Sequence, residues 1–93
     1  MKQDINNKII AYLSKYEPAK IGIFGSYARG DDTENSDIDI LVDFKRKITL
    51  FDLGGIKYDL TEILNRNVDI VTERSVNAKI KDYIYRDLRI VYE

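Results

Sequence analysis

The sequence predicts an α/β or α+β domain, one β-sheet with helices packed on it. Three observations predict it. Hydrophobic spacing alternates between helical and strand periods along the 93 residues, in the order α-β-α-β-α-β-α-β. The composition, 44% hydrophobic and 33% charged, is that of a globular chain rather than a disordered one. The length suits one modest core, so a single domain over residues 1–93 is expected, without room for a separate acceptor-binding domain.

Each element has its own signal. Between Gln3 and Tyr16, the residues Ile5, Ile9, Leu13 and Tyr16 share a helical face with Ile10 and Tyr12 beside them. Pro18 closes that helix by pushing the residue before it out of the helical region. Ala19 to Phe24 is nearly all apolar and reads as a strand covered on both faces. A Gly25-Ser26 turn follows, then one helical turn from Tyr27 to Arg29 that Gly30 ends, and a polar loop from Asp31 to Ser36. Asp37 to Phe44 alternates: Ile38, Ile40 and Val42 point one way, Asp37, Asp39, Leu41 and Asp43 the other.

Thr49 and Asp52 form a capping-box variant for a helix whose stripe is Leu53, Ile56, Leu60, Ile63 and Leu64. Gly54 and Gly55 weaken that helix by roughly 1 kcal/mol each, and close packing against a neighbour would account for them. Asn67 to Thr72 is a third strand. A last helix starting at Ser75 or Asn77 carries Val76, Ile80, Tyr83, Ile84 and Leu88 as its apolar face, and Arg89 to Tyr92 is a short closing strand.

Composition also excludes chemistry. The chain has no cysteine and no histidine, which removes disulfides, thiolate metal sites, Ser-His catalysis and the usual zinc sites. Carboxylates are left as bases and metal ligands. A net charge of -1 argues against strong nucleic-acid binding. No run approaches transmembrane length and the N-terminus is unlike a signal sequence, so a cytoplasmic protein is expected.

The remaining signals point to phosphate and metal. Gly25 lets the backbone approach a ligand, and Ser26 adds a hydroxyl at the start of a helical turn whose N–H groups face outward. A tight turn with an N-capping serine fits the pair equally. Asp37 and Asp39, two apart on a strand, have α-carbons roughly 6.5 Å apart. Like charges so close are unfavourable unless solvated or bridged by a cation. A strand edge with solvated acids satisfies the spacing too, although the apolar neighbours mark a strand central enough to be buried. Two carboxylates beside a phosphate turn suit a pair of Mg2+ ions, held about 3.5–4 Å apart in two-metal sites. Asp69 is the candidate third acid, since an unpaired charge among Val68, Ile70 and Val71 would be costly. A solvent-facing Asp69 on an edge strand is the alternative.

Gly25-Ser26, ten residues, then Asp37-Ile38-Asp39 resembles the signature of the DNA polymerase β-like nucleotidyltransferase superfamily. The longer string GSYARGDDTENSDIDILVDF, with LFDLGGIKYDL and NVDIV, resembles the minimal nucleotidyltransferases (MNT proteins) over nearly the whole chain. That resemblance implies a small mixed sheet flanked by helices, the palm of larger enzymes. It implies Gly25 and Ser26 on the nucleotide phosphates, Asp37 and Asp39 on both Mg2+ ions, and Asp69 on the catalytic metal, where it helps deprotonate the acceptor hydroxyl. Arg29 is placed to meet a phosphate, though an exposed helix-end arginine fits as well. Asp31, Asp32, Glu34 and Asp43 are expected to form a solvated acidic rim.

The implied reaction moves AMP from ATP to a hydroxyl and releases pyrophosphate. With no acceptor domain, the acceptor must dock as a partner protein or through an oligomer. MNT proteins resemble antitoxins paired with HEPN-domain ribonuclease toxins, in which a toxin tyrosine receives AMP. Two alternatives stand: an antitoxin that only binds its partner, and a small-molecule enzyme similar to the aminoglycoside-modifying transferases. Arg74, Lys79, Lys81, Tyr83, Tyr85, Arg86 and Arg89 offer a docking face; a solvated helix with its aromatic residues turned into the core is the stronger expectation.

Overall fold

Four strands form one mixed sheet in a computed structural model that describes residues 2–93. The chain runs through α1 (Lys2–Leu13), a 3-10 turn at Ser14–Tyr16, β1 (Pro18–Phe24), α2 (Gly25–Arg29), β2 (Ile38–Phe44) and α3 (Leu50–Leu64). It continues through β3 (Val68–Thr72), a 3-10 turn at Glu73–Ser75, α4 (Ala78–Arg86) and β4 (Arg89–Tyr92). The strand order is β3-β2-β1-β4. β1 is antiparallel to both its neighbours, whereas β2 and β3 are parallel, with α3 as the crossover that parallel pairing requires.

Alternation along the strands decides what covers each face. Ile21 and Ile23 of β1, Ile38, Ile40 and Val42 of β2, and Val68 of β3 meet Ile9 and Leu13 of α1 and Ile56, Leu60 and Leu64 of α3. On the opposite face Phe24 and Leu41 pack against Ile84 of α4. The central strands are therefore covered on both sides, as their apolar runs imply. Gly22 adds a close approach there, because a Cβ would come within 2.6 Å of Leu88 Cδ1.

Local signals set the helix ends. Thr49 Oγ1 accepts from the Asp52 N–H at 3.1 Å while Asp52 Oδ2 accepts from the Thr49 N–H at 3.0 Å, completing the capping box of α3. Gly30, at φ +87°, ends α2 by donating its N–H to the Ser26 carbonyl at 3.0 Å. Asn77 caps α4, its Oδ1 accepting from the Lys79 and Ile80 N–H groups. Among the described residues no helix is long and apolar enough to cross a membrane.

Three expectations need correction. Ile63 is 43% exposed, because the buried stripe of α3 follows Ile56, Leu60 and Leu64 at spacings of four and leaves Ile63 on its flank. A Cβ on Gly54 or Gly55 would meet nothing within 4 Å, so close packing does not explain these glycines. They lie on the outer side of α3 with Phe51, which is 94% exposed. The aromatic residues of α4 are not buried in the core either: Ile84 is its one buried residue, and Tyr83 and Tyr85 stay 47% and 37% exposed.

The two flanks of α3 should separate in a mutational test. Leu60→Ala is predicted to cost about 2–5 kcal/mol of unfolding free energy in urea melts, and Ile63→Ala less than about 1 kcal/mol.

Candidate active site

Three chain segments converge at one end of the sheet. β1 runs out into Gly25, β2 begins just after Asp37 and carries Asp39, and β3 carries Asp69. Asp39 pairs with Phe24 across the antiparallel ladder and with Asp69 across the parallel one. Directly paired residues point to the same side of a sheet, and neighbouring strands lie about 4.8 Å apart. The register therefore places the Asp39 and Asp69 side chains next to one another, on the face that α4 covers further along.

Gly25 has φ +74°, in the left-handed region that disfavours other residues, and a Cβ there would collide with Asp39 Oδ2. The turn is thus built against the carboxylate. Ser26 is half-buried at the start of α2, and Asp37 is exposed at the mouth of the site. Asn67 Nδ2 donates to Asp37 Oδ1 at 3.0 Å and fixes one carboxylate oxygen. Asp69 is exposed on an edge strand, so the predicted cost of burying it does not arise. Its proximity to Asp39 comes from register instead.

Asp39 is pushed up to about 6, first by burial and then by the charges of Asp69 and Asp37, with Arg29 opposing them. Arg29 itself is committed. Its Nε donates to Asp31 Oδ2 at 3.2 Å and its Nη1 to Asp87 Oδ2 at 3.0 Å. The bond from Arg29 holds Asp87 below the usual carboxylate range. At this end of the sheet Arg29 acts on Asp39 through charge.

The acidic rim is only partly solvated. Asp31 and Glu34 are exposed, Asp43 is half-buried, and Asp32 is largely buried in an ion pair with Arg66, Nη1 to Oδ2 at 3.0 Å. Arg66 Nη2 also donates to the Thr33 and Ser36 carbonyls at 3.0 and 2.9 Å. Arg66 therefore clamps the loop that delivers Asp37, and Asn67 holds Asp37 directly. Neither stands out in the sequence as a site residue. The available signal was positional: Asn67 precedes Asp69 by the same two residues that separate Asp37 from Asp39.

Among the described residues no three acidic side chains close tightly enough to hold an ion by themselves. The donor chemistry still fits Mg2+. The candidate ligands are all oxygen, burial and then the neighbouring carboxylates raise Asp39, and Mg2+ is commonly held by one or two carboxylates plus substrate phosphates.

The polymerase beta nucleotidyltransferase family matches residues 7–93. The chain belongs to this family. Its sheet and helices have the polymerase β-like nucleotidyltransferase fold, and the match covers both the turn and the aspartates. A protein adenylyltransferase candidate of Methanocaldococcus jannaschii, MJ0435, is 44% identical over 84 residues, covering 90% of each chain. A toxin-antitoxin crystal structure with AMP-PNP superposes with a TM-score of 0.85 at 28% identity, over 94% of this chain and 72% of that one. The MNT antitoxin complexed with the tri-AMPylated HEPN toxin of Shewanella oneidensis gives a TM-score of 0.81 at 26% identity, over 99% and 72%.

The geometry of Gly25 and Asp39 can be tested in two ways. Gly25→Ala should reduce nucleotidyl transfer at least about 100-fold, since it strains the backbone and displaces a carboxylate. Asp39 binds its proton more tightly folded than unfolded, so without divalent cation it contributes stability below about pH 4 that is lost as pH rises through about 6. In EDTA at pH 7.5, Asp39→Asn should therefore be more stable than wild type by about 1–2 kcal/mol, discounted for partial exposure. The advantage should shrink towards pH 4 in thermal melts.

Proposed function

We propose that this chain is a Mg2+-dependent protein adenylyltransferase that transfers AMP from ATP to a tyrosine hydroxyl of a HEPN-domain toxin, and so acts as an antitoxin. The observation that carries the reading is the register pairing of Asp39 with Asp69 beside the Gly25-Ser26 turn. The adenylyltransferase name of the Methanocaldococcus relative and the AMPylated toxin held by the Shewanella antitoxin support the donor and the partner. The AMP-PNP complex of a similar toxin-antitoxin pair supports an adenine nucleotide as donor.

In this reading Asp37, Asp39 and Asp69 would hold two Mg2+ ions, which supply charge neutralisation at the α-phosphate and acidify the acceptor hydroxyl. Gly25 and Ser26 seat the β- and γ-phosphates through backbone N–H groups and the serine hydroxyl. Arg29 adds positive potential from its place between Asp31 and Asp87. The acceptor oxygen forms a bond to the α-phosphorus as the bond to the bridging oxygen breaks. Pyrophosphate leaves, and Asp69 takes the hydroxyl proton. Most of the barrier reduction comes from positioning and electrostatics. Asp69's exposure on an edge strand suits that role, because a protein acceptor can reach it from solvent.

The test is mass spectrometry of a co-expressed HEPN partner. AMP increments on a partner tyrosine, reduced at least about 1,000-fold in rate by Asp37→Ala/Asp39→Ala, are expected. A partner that stays unmodified while fully inhibited would overturn the catalytic reading.

A further inference from the structure

Tyr83 reaches from α4 to the Gly25 turn. Its hydroxyl lies 3.4 Å from the position a Cβ on Gly25 would take, the same position that the Asp39 carboxylate overlaps. Its ring meets Phe24 edge-on, with centroids 6.1 Å apart and planes at 89°. Phe24 is the cross-strand partner of Asp39, so this contact fixes Tyr83 relative to the carboxylate. The Arg86 guanidinium lies 5.9 Å from the ring centroid. The side chain is held from two directions and is still 47% exposed.

A triphosphate over the Gly25-Ser26 turn needs hydrogen-bond donors, and few are free at this end of the sheet. The aspartates only accept when ionised. Arg29 already donates to Asp31 and Asp87. Tyr12, Tyr27 and Tyr85 direct their hydroxyls to Asp59, the Lys2 carbonyl and Glu73. Tyr83 is different, since its hydroxyl makes no hydrogen bond among the described residues and borders the point above Gly25.

We propose that Tyr83 is a nucleotide-binding residue whose hydroxyl donates a hydrogen bond to a phosphate oxygen of the donor nucleoside triphosphate. The assignment rests on the nucleotidyltransferase reading of the same site and deepens it. Phe24 and Arg86 pre-set the ring, so little side-chain entropy is lost on binding. A hydrogen bond to a charged phosphate oxygen is among the stronger kind, and its loss should weaken nucleotide binding about tenfold.

Calorimetry with AMP-PNP and Mg2+ on the full chain tests this, together with transfer kinetics and intact mass. Tyr83→Phe keeps the ring and its packing and removes only the donor. It should bind AMP-PNP about tenfold more weakly and raise the KM for ATP by a similar factor, with kcat changed less than about twofold. Tyr85→Phe, whose lost partner is Glu73, should leave both constants at wild-type values. Tyr83→Phe with wild-type AMP-PNP affinity in an active protein would overturn the assignment alone. AMP found on Tyr83 itself would overturn it as well, by making that hydroxyl an acceptor. A wild type that binds no AMP-PNP would overturn both the assignment and the reading beneath it.

Discussion

Repulsion between carboxylates held side by side is the constraint on which the rest of this structure depends. Asp39 and Asp69 are register partners on adjacent parallel strands, and neither can move away without shifting the ladder. Asp37 adds its charge two residues before Asp39, and burial together with the two neighbouring charges raises the proton affinity of Asp39. A hydrophobic pair at 39 and 69 would stabilise the sheet better. The arrangement makes sense as a site that becomes favourable when a divalent cation and a polyanion arrive together, which is how Mg2+ and a nucleotide reach such an enzyme.

The fold serves that constraint from several sides. The crossover helix α3 makes β2 and β3 parallel and so brings their N-terminal ends, with Asp39 and Asp69, to the same edge. Arg66 and Asn67, just past that helix, then clamp the loop and hold Asp37. Gly25 lets β1 turn directly against Asp39, where any side chain would collide. Arg29 is itself positioned by Asp31 and Asp87, so one cation is fixed near Asp39 without closing on it.

Much of this was legible in the sequence because it is local. The Gly-Ser turn, the Gly30 stop, the Thr49 capping box and the alternation from Asp37 to Phe44 each depend on residues within a few positions of one another, and all appear where their signals lie. What depends on strand order was not legible. A strand with Asp69 among Val68, Ile70 and Val71 reads as buried until its place at the sheet edge is known. Asp32 looked solvated because its partner Arg66 is far away in sequence, and the partial exposure of Tyr83 and Tyr85 follows from how α4 lies on the sheet rather than from their spacing. Gly54 and Gly55 lie on an open surface beside Phe51, and nothing in the structure explains them.

The most direct measurement is a carbon-13 NMR titration of the Asp39 carboxyl, first in EDTA and then with Mg2+ and AMP-PNP. A midpoint near 6 in EDTA is predicted, falling by more than about one pH unit when cation and nucleotide bind. An Asp39 carboxyl that titrates near the ordinary value of about 4 in EDTA and ignores Mg2+ would contradict the account, because the three carboxylates would then not form one electrostatic site.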